Sequence, residues 1–346
     1  MDNFQLANIQ HIQNACKQDK LVIFIGAGIS ANSGVPMWKK LIESLKKELP
    51  TELMEETDEL KISQLYKDSR GYKEYIEKIK DVLMYGKSSP NPIHDVLLDL
   101  KPCHIITTNY DDLIEQSILR RFQQYYIIRK DADLPYIQYP NTVVKMHGDF
   151  ETDNIVLTEN DYYNYSENFP LIQSFVQSLF ATKLVLFVGF SFNDINLKFI
   201  LNRVSNILQE NMQRVYLLAN NDIDPIQRAY YENKGINVVN INQEEVASYL
   251  YKYHIKDKSS ELVSQVGKSL YRQLVFIKHF RKEQDLIEYM YDYINSYKDE
   301  IRVLGDGFKY IIPQNEQSGW TYSSSGLYVE SSFIKSIKKQ LKTFAG

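Results

Sequence analysis

Four short polar motifs, each at the end of an apolar run, contain the residues of this 346-residue chain that could do chemistry. In the first motif, the run 21–25 ends in Gly26, Ala27 and Gly28, and Ser30 follows. Glycines let the backbone turn sharply and approach a ligand where a Cβ atom would clash. The next helix would direct its N-terminal N–H groups and its positive dipole end at the same place. This motif predicts a pyrophosphate site, and hence a dinucleotide, although the same turn also serves plain strand–helix packing.

The second motif, Thr-Thr-Asn-Tyr-Asp at 107–111, follows another apolar run. Asn109 can donate and accept hydrogen bonds at once, which suits a sugar hydroxyl or an attacking water. Asp111 adds a carboxylate two residues later. The alternative for both residues is helix capping, because Asn and Asp are preferred N-caps. We favour a functional role for Asn109 and, less firmly, for Asp111.

The third motif, at 145–149, places His147 directly before Gly148. Histidine titrates near neutral pH and suits a general base. A lone histidine at a strand end is usually structural, but its order with the other motifs favours function here. The remaining histidines have no motif around them and no convincing metal-ligand spacing, so we interpret them as structural or surface residues: His11, His94, His104, His254 and His279.

The fourth motif, at 188–194, ends the apolar run 184–188 with Gly189 and Ser191. We expect Asn193 and Asp194 to cap the helix that follows.

Apolar strands alternate with helical patterns along most of the chain, which predicts an α/β, Rossmann-like parallel sheet with helices on both faces. Ligands of such sheets bind beyond the carboxyl ends of the strands, where all four motifs lie. A helical insertion is predicted at about 52–100. The predicted strands are 21–25, 104–107, 124–128, 142–146, 184–188, 214–218 and 236–239.

The pattern changes after residue 252, so we predict a first domain at 1–252 and a second region at 253–346. The second region reads as a smaller α+β segment, with helix at 259–298, strand-like pieces at 301–333 and a basic amphipathic helix at 334–344. Its many aromatic residues favour an accessory or oligomerisation role, because aromatics concentrate in interface cores.

Composition narrows the function classes. The chain has 40 basic and 44 acidic residues, a net charge of −4, which gives no broad attraction to nucleic acid. Its two cysteines exclude a four-cysteine zinc site within one chain, and no metal is expected. There is no apolar stretch of roughly 20 residues that could span a membrane and no signal-peptide core, so we expect a cytoplasmic location.

Taken together and in order, the four motifs resemble those of the sirtuin superfamily over residues of about 20–250. Sirtuins carry Gly-Ala-Gly-Ile-Ser, Thr-Gln-Asn-Ile-Asp, His-Gly and Gly-x-Ser segments. This chain departs from the protein deacylases of that family, because it lacks their zinc-ribbon cysteines, has Thr108 in place of Gln and has Trp38 near the usual Phe-Arg. With these departures it is similar to the bacterial anti-phage sirtuin-like NAD hydrolases, which also lack the ribbon.

The resemblance implies an NAD⁺ glycohydrolase that cleaves the nicotinamide–ribose bond to give nicotinamide and ADP-ribose, and that depletes NAD in anti-phage defence. NAD is then the substrate. His147 would activate a ribose hydroxyl or a water, with Asn109 and Asp111 beside it. The binding residues implied are Gly26, Ala27, Gly28, Ser30, Asn109, Gly189 and Ser191.

Regulation is expected through homo-oligomeric assembly or through a partner protein such as a HerA-type ATPase, with no direct binding to nucleic acid or membrane. Two alternatives stay open. The chain could be a subunit that senses NAD or ADP-ribose without turnover, although a sensor would not need His147. It could also be an NAD-dependent protein deacylase, for which the sequence shows no peptide-binding cleft.

Overall fold

A computed structural model describes residues 2–192, 194–213, 215–219 and 223–281, and the backbone of 320–323 and 326–329. The strands are β1 (Leu21–Ile25), β2 (His104–Thr107), β3 (Tyr126–Ile128), β4 (Thr142–Lys145), β5 (Leu184–Val188), β6 (Val215–Leu218), β7 (Ile236–Val239), β8 (Trp320–Ser323) and β9 (Gly326–Val329). The α-helices are α1 (Asn3–Lys17), α2 (Ala27–Ser30), α3 (Trp38–Lys46), α4 (Glu59–Arg70), α5 (Tyr72–Val82), α6 (Pro92–Asp99), α7 (Leu113–Arg120), α8 (Glu159–Tyr163), α9 (Tyr165–Asn168), α10 (Pro170–Thr182), α11 (Ile195–Leu208), α12 (Pro225–Asn233), α13 (Gln243–Lys252) and α14 (Gln265–His279).

The first seven strands form one parallel sheet in the order β3-β4-β2-β1-β5-β6-β7. Every residue of β1 is buried, and successive side chains of a strand point to opposite faces. Both faces of the sheet are therefore covered: α1 packs on one, and α10 and α11 share a core cluster with Val22 and Phe24 on the other. The Rossmann-like parallel sheet predicted from the sequence is confirmed.

The carboxyl ends of the four central strands are in register. Ile25 at the end of β1 pairs with Thr107 of β2 on one side and Val188 of β5 on the other, and Thr107 pairs with Lys145 of β4. From β1 the chain continues to β2 on one side and reaches β5 on the other side only later. This change of direction is a topological switch point, the usual position of a ligand crevice in an open α/β sheet. All four polar motifs begin there.

The turns after β1 and β5 are packed backbone against backbone. A Cβ atom built on Gly26 would lie 2.3 Å from the carbonyl oxygen of Gly189, and one built on Gly28 would lie 2.9 Å from the same atom. Gly189 has φ +65°, a conformation that favours glycine, and a Cβ there would lie 2.9 Å from Ile29. Glycine is required at these positions by packing, before any ligand is considered.

Some local predictions differ from the structure. We expected the helix after the first glycine turn to begin beyond Gly34, whereas α2 begins within the turn at Ala27 and is only four residues long. Its short length explains the error, since one helical turn leaves no apolar periodicity to detect. The sequence also gave no prediction for the short helices α8 and α9 or for α13.

The predicted insertion is helical and has its own small core. Side chains of α3, α4 and α5 pack together with Tyr110 of the second motif and Leu113 of α7, and with Phe150 and Leu157, which follow the third motif. The hydroxyl of Tyr72 also donates to the carbonyl of Asp153 at 2.7 Å. The insertion therefore lies directly against the segments that follow β2 and β4.

The chain up to Lys278 forms one compact unit, and His279 onwards belongs to a second. Most of α14 lies in the first unit, where the buried Gln273 donates to the carbonyl of Ala219 and accepts from the N–H of Ile241. In the second unit, β8 and β9 form an antiparallel pair. The predicted helix at 334–344 lies outside the described residues, and the functional division at residue 252 stays a prediction. No helix in the described part of the chain is both long and apolar enough to cross a membrane.

The glycine packing gives a stability prediction. We expect Gly26→Ala to lower the free energy of unfolding by about 3 kcal/mol, because the new methyl group overlaps the Gly189 carbonyl. The matched control is Gly34→Ala, which has φ +85° and no atom within 4 Å of its Cβ, so only the left-handed backbone should cost it about 1 kcal/mol. Urea unfolding followed by circular dichroism measures both. Equal losses would show that the backbone contact is not tight.

Candidate active site

Asn109 is positioned by the strands on either side of it. Its backbone N–H donates to Thr107 Oγ1 at 3.0 Å, and the Thr107 hydroxyl donates to the carbonyl of Ile25 at 3.0 Å. The Asn109 side-chain amide donates to Ser30 Oγ at 3.1 Å, and Ser30 is 1% exposed. The structure thus joins two of the predicted site residues, one from the first motif and one from the second.

Asp111 makes a capping contact, one of the two roles that the sequence left open, and it has two further interactions. One carboxylate oxygen accepts the N–H of Leu113, the first residue of α7, at 3.3 Å. This is the capping alternative. Its backbone carbonyl accepts a hydrogen bond from the ammonium of Lys145. Its charge also acts on the buried His94, where it opposes the lowering of that histidine's pKa by burial.

His147 is buried at the end of β4, with 2% of its surface exposed. Its ring packs edge-on against Tyr162, with ring centroids 5.2 Å apart, and against Tyr165 at 6.0 Å. Nε2 lies 3.3 Å from a carboxylate oxygen of Asp194, yet it makes no hydrogen bond of normal geometry within the described residues. Burial lowers the pKa of His147 from its ordinary value of 6.5, and the charges of Asp194 and Asp161 oppose that shift.

Asp194 connects His147 to the fourth motif. One carboxylate oxygen caps α11 by accepting the N–H of Leu197 at 2.8 Å, as predicted from the sequence. The other oxygen faces His147 and accepts from the hydroxyl of Tyr162 at 3.3 Å. Sequence reasoning assigned Asp194 only the cap and missed its contact with His147, because 47 residues of chain separate them and only folding brings them together.

The backbone donors of the first motif are partly used within the protein. Gly26 donates its N–H to the carbonyl of Val188 and Gly28 donates to that of Gly189, both at 3.0 Å. These two N–H groups hold the β1 and β5 turns together. The N–H of Ala27 donates to no group among the described residues, so it is the backbone donor of this motif that remains available.

The fourth motif contributes the turn at Gly189 and an exposed hydroxyl at Ser191. Gly189 is in contact with the first motif. The Ser191 side chain makes no hydrogen bond to another predicted site residue within the described part of the chain. Phe192 has φ +56°, unusual for a bulky residue, while its ring is buried against Phe187 and Tyr231. Aromatic packing therefore sustains the strained turn that exposes Ser191.

Gly148, directly after His147, also has a structural requirement. Its φ is +69°, and a Cβ there would lie 2.2 Å from the side chain of Asn154. Glycine is therefore required directly after His147, because the backbone there has a positive φ and packs closely against Asn154.

One polar residue beside the first motif, Asn91, was missed by sequence reasoning, and His94, interpreted above as structural or surface, is its buried neighbour. Asn91 caps α6, and its side-chain amide donates to the carbonyl of Ile29 at 3.0 Å. His94 accepts the backbone N–H of Asn91, and burial lowers its pKa to about 4. The Asn-Pro pair at 91–92 was a usable signal, since it combines an N-cap with proline at the first helical position.

No three His, Cys, Asp or Glu side chains are grouped so that they could bind a metal ion, within the residues that the structure describes.

A parallel sheet with polar turns at its switch point defines a Rossmann-like ligand-binding domain. Comparison with known sequences identifies the family of this domain. Residues 103–239 match the SIR2-like domain family, so the chain carries a SIR2-like domain. The expected membership of the sirtuin superfamily is confirmed.

Among curated relatives, the chain is similar to Defense-associated sirtuin 2 of Bacillus subtilis, with 30% identity over 308 residues. That alignment covers 85% of this chain and 30% of the relative. It is also 30% identical over 258 residues to the NAD(+) hydrolase ThsA of Acinetobacter baumannii (strain 532279), covering 72% of this chain and 52% of that protein. The chain therefore spans about half, or less, of the length of these relatives.

Solved sirtuin structures show a weaker similarity. The crystal structure of a Sir2 homolog–NAD complex matches with a TM-score of 0.40 and 14% identity, over 78% of this chain and 93% of that one. At this level the similarity carries no argument about the site.

The surroundings of His147 give a prediction that needs no substrate. We expect NMR titration of the histidine-labelled protein to give His147 a pKa below 6.5, because burial disfavours the imidazolium. Asp194→Asn should lower that pKa further, since it removes the nearest negative charge while Asn still caps α11. Glu74→Gln, on the exposed surface of α5, is the control and should change nothing. A His147 pKa above 6.5 would contradict the buried, neutral imidazole.

Proposed function

We propose that this chain is an NAD⁺ hydrolase that cleaves the nicotinamide–ribose bond to release nicotinamide and ADP-ribose. One observation carries the proposal: the in-register ends of β1, β2, β4 and β5 gather Ser30, Asn109 and His147 at a single switch point. Relatives named NAD(+) hydrolase ThsA, at about 30% identity, support NAD as the substrate.

In the proposed reaction the C–N bond between nicotinamide and ribose breaks, and its electron pair leaves with nicotinamide, which becomes neutral. The sugar carbon passes through an oxocarbenium-like state. The oxygen of a water molecule then forms the new bond to that carbon and loses a proton to a base. Because the attacking water must be held close and correctly oriented, residues that fix its position account for much of the rate.

His147 is the proposed base, because a neutral imidazole can take a proton from the water or from a ribose hydroxyl. Its lowered pKa keeps it neutral at pH 7, and Asp194 Oδ2, 3.3 Å from Nε2, stabilises the imidazolium once it forms. Since only the neutral form is active, nicotinamide release should decline as the pH falls and His147 becomes protonated, and the midpoint of that decline should lie below pH 6.5.

Substrate binding is assigned to the turns around this base. Ala27 offers a backbone N–H and Ser30 a hydroxyl to the pyrophosphate, with Gly26 and Gly28 allowing the close approach. Asn109, held by Ser30 and Thr107, is placed to orient the water or a ribose hydroxyl. Asp111 balances the positive charge that develops on the sugar. Gly189 and Ser191 are assigned to the adenine-side ribose or phosphates.

In the cell, this activity would serve anti-phage defence by depleting NAD, as the similarity to Defense-associated sirtuin 2 suggests. A toxic activity needs restraint, which we assign to homo-oligomeric assembly or to a partner such as a HerA-type ATPase. The region 253–346 is the proposed accessory or oligomerisation part, and the cytoplasm is the proposed location.

The first test is chromatographic. Purified protein is incubated with NAD, alone and with the product of any neighbouring gene, and nicotinamide and ADP-ribose are quantified. We expect both products from the wild type, a loss of about 10² to 10⁴-fold in His147→Ala because the base is gone, and a loss of about 100-fold in Asn109→Ala because the water is no longer oriented.

Leu119→Ala is the control variant, because Leu119 is 77% exposed on α7 and should leave the rate unchanged. Binding of NAD without any release of nicotinamide would favour the sensing subunit instead. Nicotinamide release that requires an acylated peptide would favour the deacylase.

A further inference from the structure

Lys145 is a buried charge that the proposed reaction does not use. It is the last residue of β4, two residues before His147, and only 1% of it is exposed. Its ammonium donates to the backbone carbonyl of Asp111 and lies 3.1 Å from a carboxylate oxygen of Glu115 on α7. One side chain therefore links the strand that carries His147 to the turn that carries Asn109 and Asp111.

Stability alone does not explain this arrangement. Well-packed apolar residues can often replace a buried ion pair at no cost, because removing two charges from water offsets most of their attraction. The hydrogen bond from Lys145 to Asp111 also joins the segment that carries His147 to the segment that carries Asn109. The distance between these two segments determines how a water between Asn109 and His147 would be held. We propose that Lys145 is a positioning residue, whose ammonium holds the Asn109–Asp111 turn at its working distance from His147. This inference rests on the proposed NAD⁺ hydrolase function.

Glu115 supplies the opposing charge. An unpaired ammonium at this position would disfavour the positive charge that develops on the sugar, and the carboxylate of Glu115 offsets it. Burial raises the pKa of Glu115, and the charge of Lys145 opposes that shift. The second carboxylate oxygen of Glu115 has no hydrogen-bond partner among the described residues. Among the described groups, the charge of Lys145 most strongly opposes the rise in the pKa of Glu115.

The pair lines a cavity of about 170 Å³, together with Tyr85, Gln116 and Arg129. This cavity makes a chemical-rescue experiment feasible. In Lys145→Ala the side chain beyond Cβ is missing, and the n-propylammonium ion has the same atoms as the missing part. The ion can reach the vacated position from the cavity and donate to the Asp111 carbonyl in place of the lysine.

The experiment measures kcat and KM for NAD by nicotinamide release, under the conditions in which the wild type is active. We expect Lys145→Met and Lys145→Ala to lose about 100-fold in kcat, because the water is misplaced, with KM within about threefold of the wild type. n-Propylammonium should restore kcat in Lys145→Ala but not in His147→Ala. Tetramethylammonium, which has no N–H donor, should restore neither. Lys198→Met, an exposed lysine on α11, is the control and should match the wild type.

A wild-type kcat in Lys145→Met would overturn the inference, and so would a variant that changes only KM. The inference is also overturned if Lys145→Ala folds and n-propylammonium does not raise its low kcat. If both variants fail to fold, Lys145→Arg provides the measurement, because it keeps the buried positive charge but changes the length and shape of the group that donates to the Asp111 carbonyl. A kcat loss of about tenfold with unchanged KM supports the inference, and an unchanged kcat overturns it. A wild type that releases no nicotinamide under any condition refutes the proposed function itself, which distinguishes the two failures.

Discussion

The backbone contact between the first and fourth motifs is the constraint on which the rest of the site depends. Gly26 and Gly28 donate to the carbonyls of Val188 and Gly189, and a Cβ atom on either glycine would overlap Gly189. The turns after β1 and β5 can approach this closely only because both lack side chains at the contact. Where they meet, the chain leaves the centre of the sheet in two directions, which is the usual position of a ligand crevice in an open α/β sheet. The same glycines that suggest a ligand therefore first hold these two turns together.

A short chain of hydrogen bonds carries this constraint to the second and third motifs. The carbonyl of Ile25 accepts from Thr107, Thr107 accepts from the backbone of Asn109, and Asn109 donates to Ser30. On the other side of the turn, Lys145 donates to the carbonyl of Asp111. Buried polar groups that are all paired in this way favour one arrangement, since an unpaired group in the interior is costly. The first, second and third motifs are therefore held in place by hydrogen bonds to one another.

The fold could be predicted from the sequence because parallel strands buried on both faces appear as continuous apolar runs. For this reason Leu21–Ile25, His104–Thr107 and Leu184–Val188 were predicted with their observed limits. The common position of the four motifs at the carboxyl ends of neighbouring strands also followed, because strand ends of a parallel sheet share an edge. Their detailed roles did not, since they depend on distant partners: no local pattern shows that Asp194 faces His147 or that Glu115 pairs with Lys145. Short helices such as α2 were missed because one turn has no periodicity.

The proposed substrate binding and the proposed proton transfer both depend on the turn that follows β5. The turn at 188–194 packs against the first glycine motif at one end, through Gly189, and at the other end places Asp194 beside His147. Burial among aromatic rings keeps the histidine neutral, while Asp194 favours its protonated form, so the pKa of His147 depends on how closely that carboxylate is held. A change in the glycine contact that shifts the turn would therefore alter the proton affinity of the base as well as the shape of the crevice.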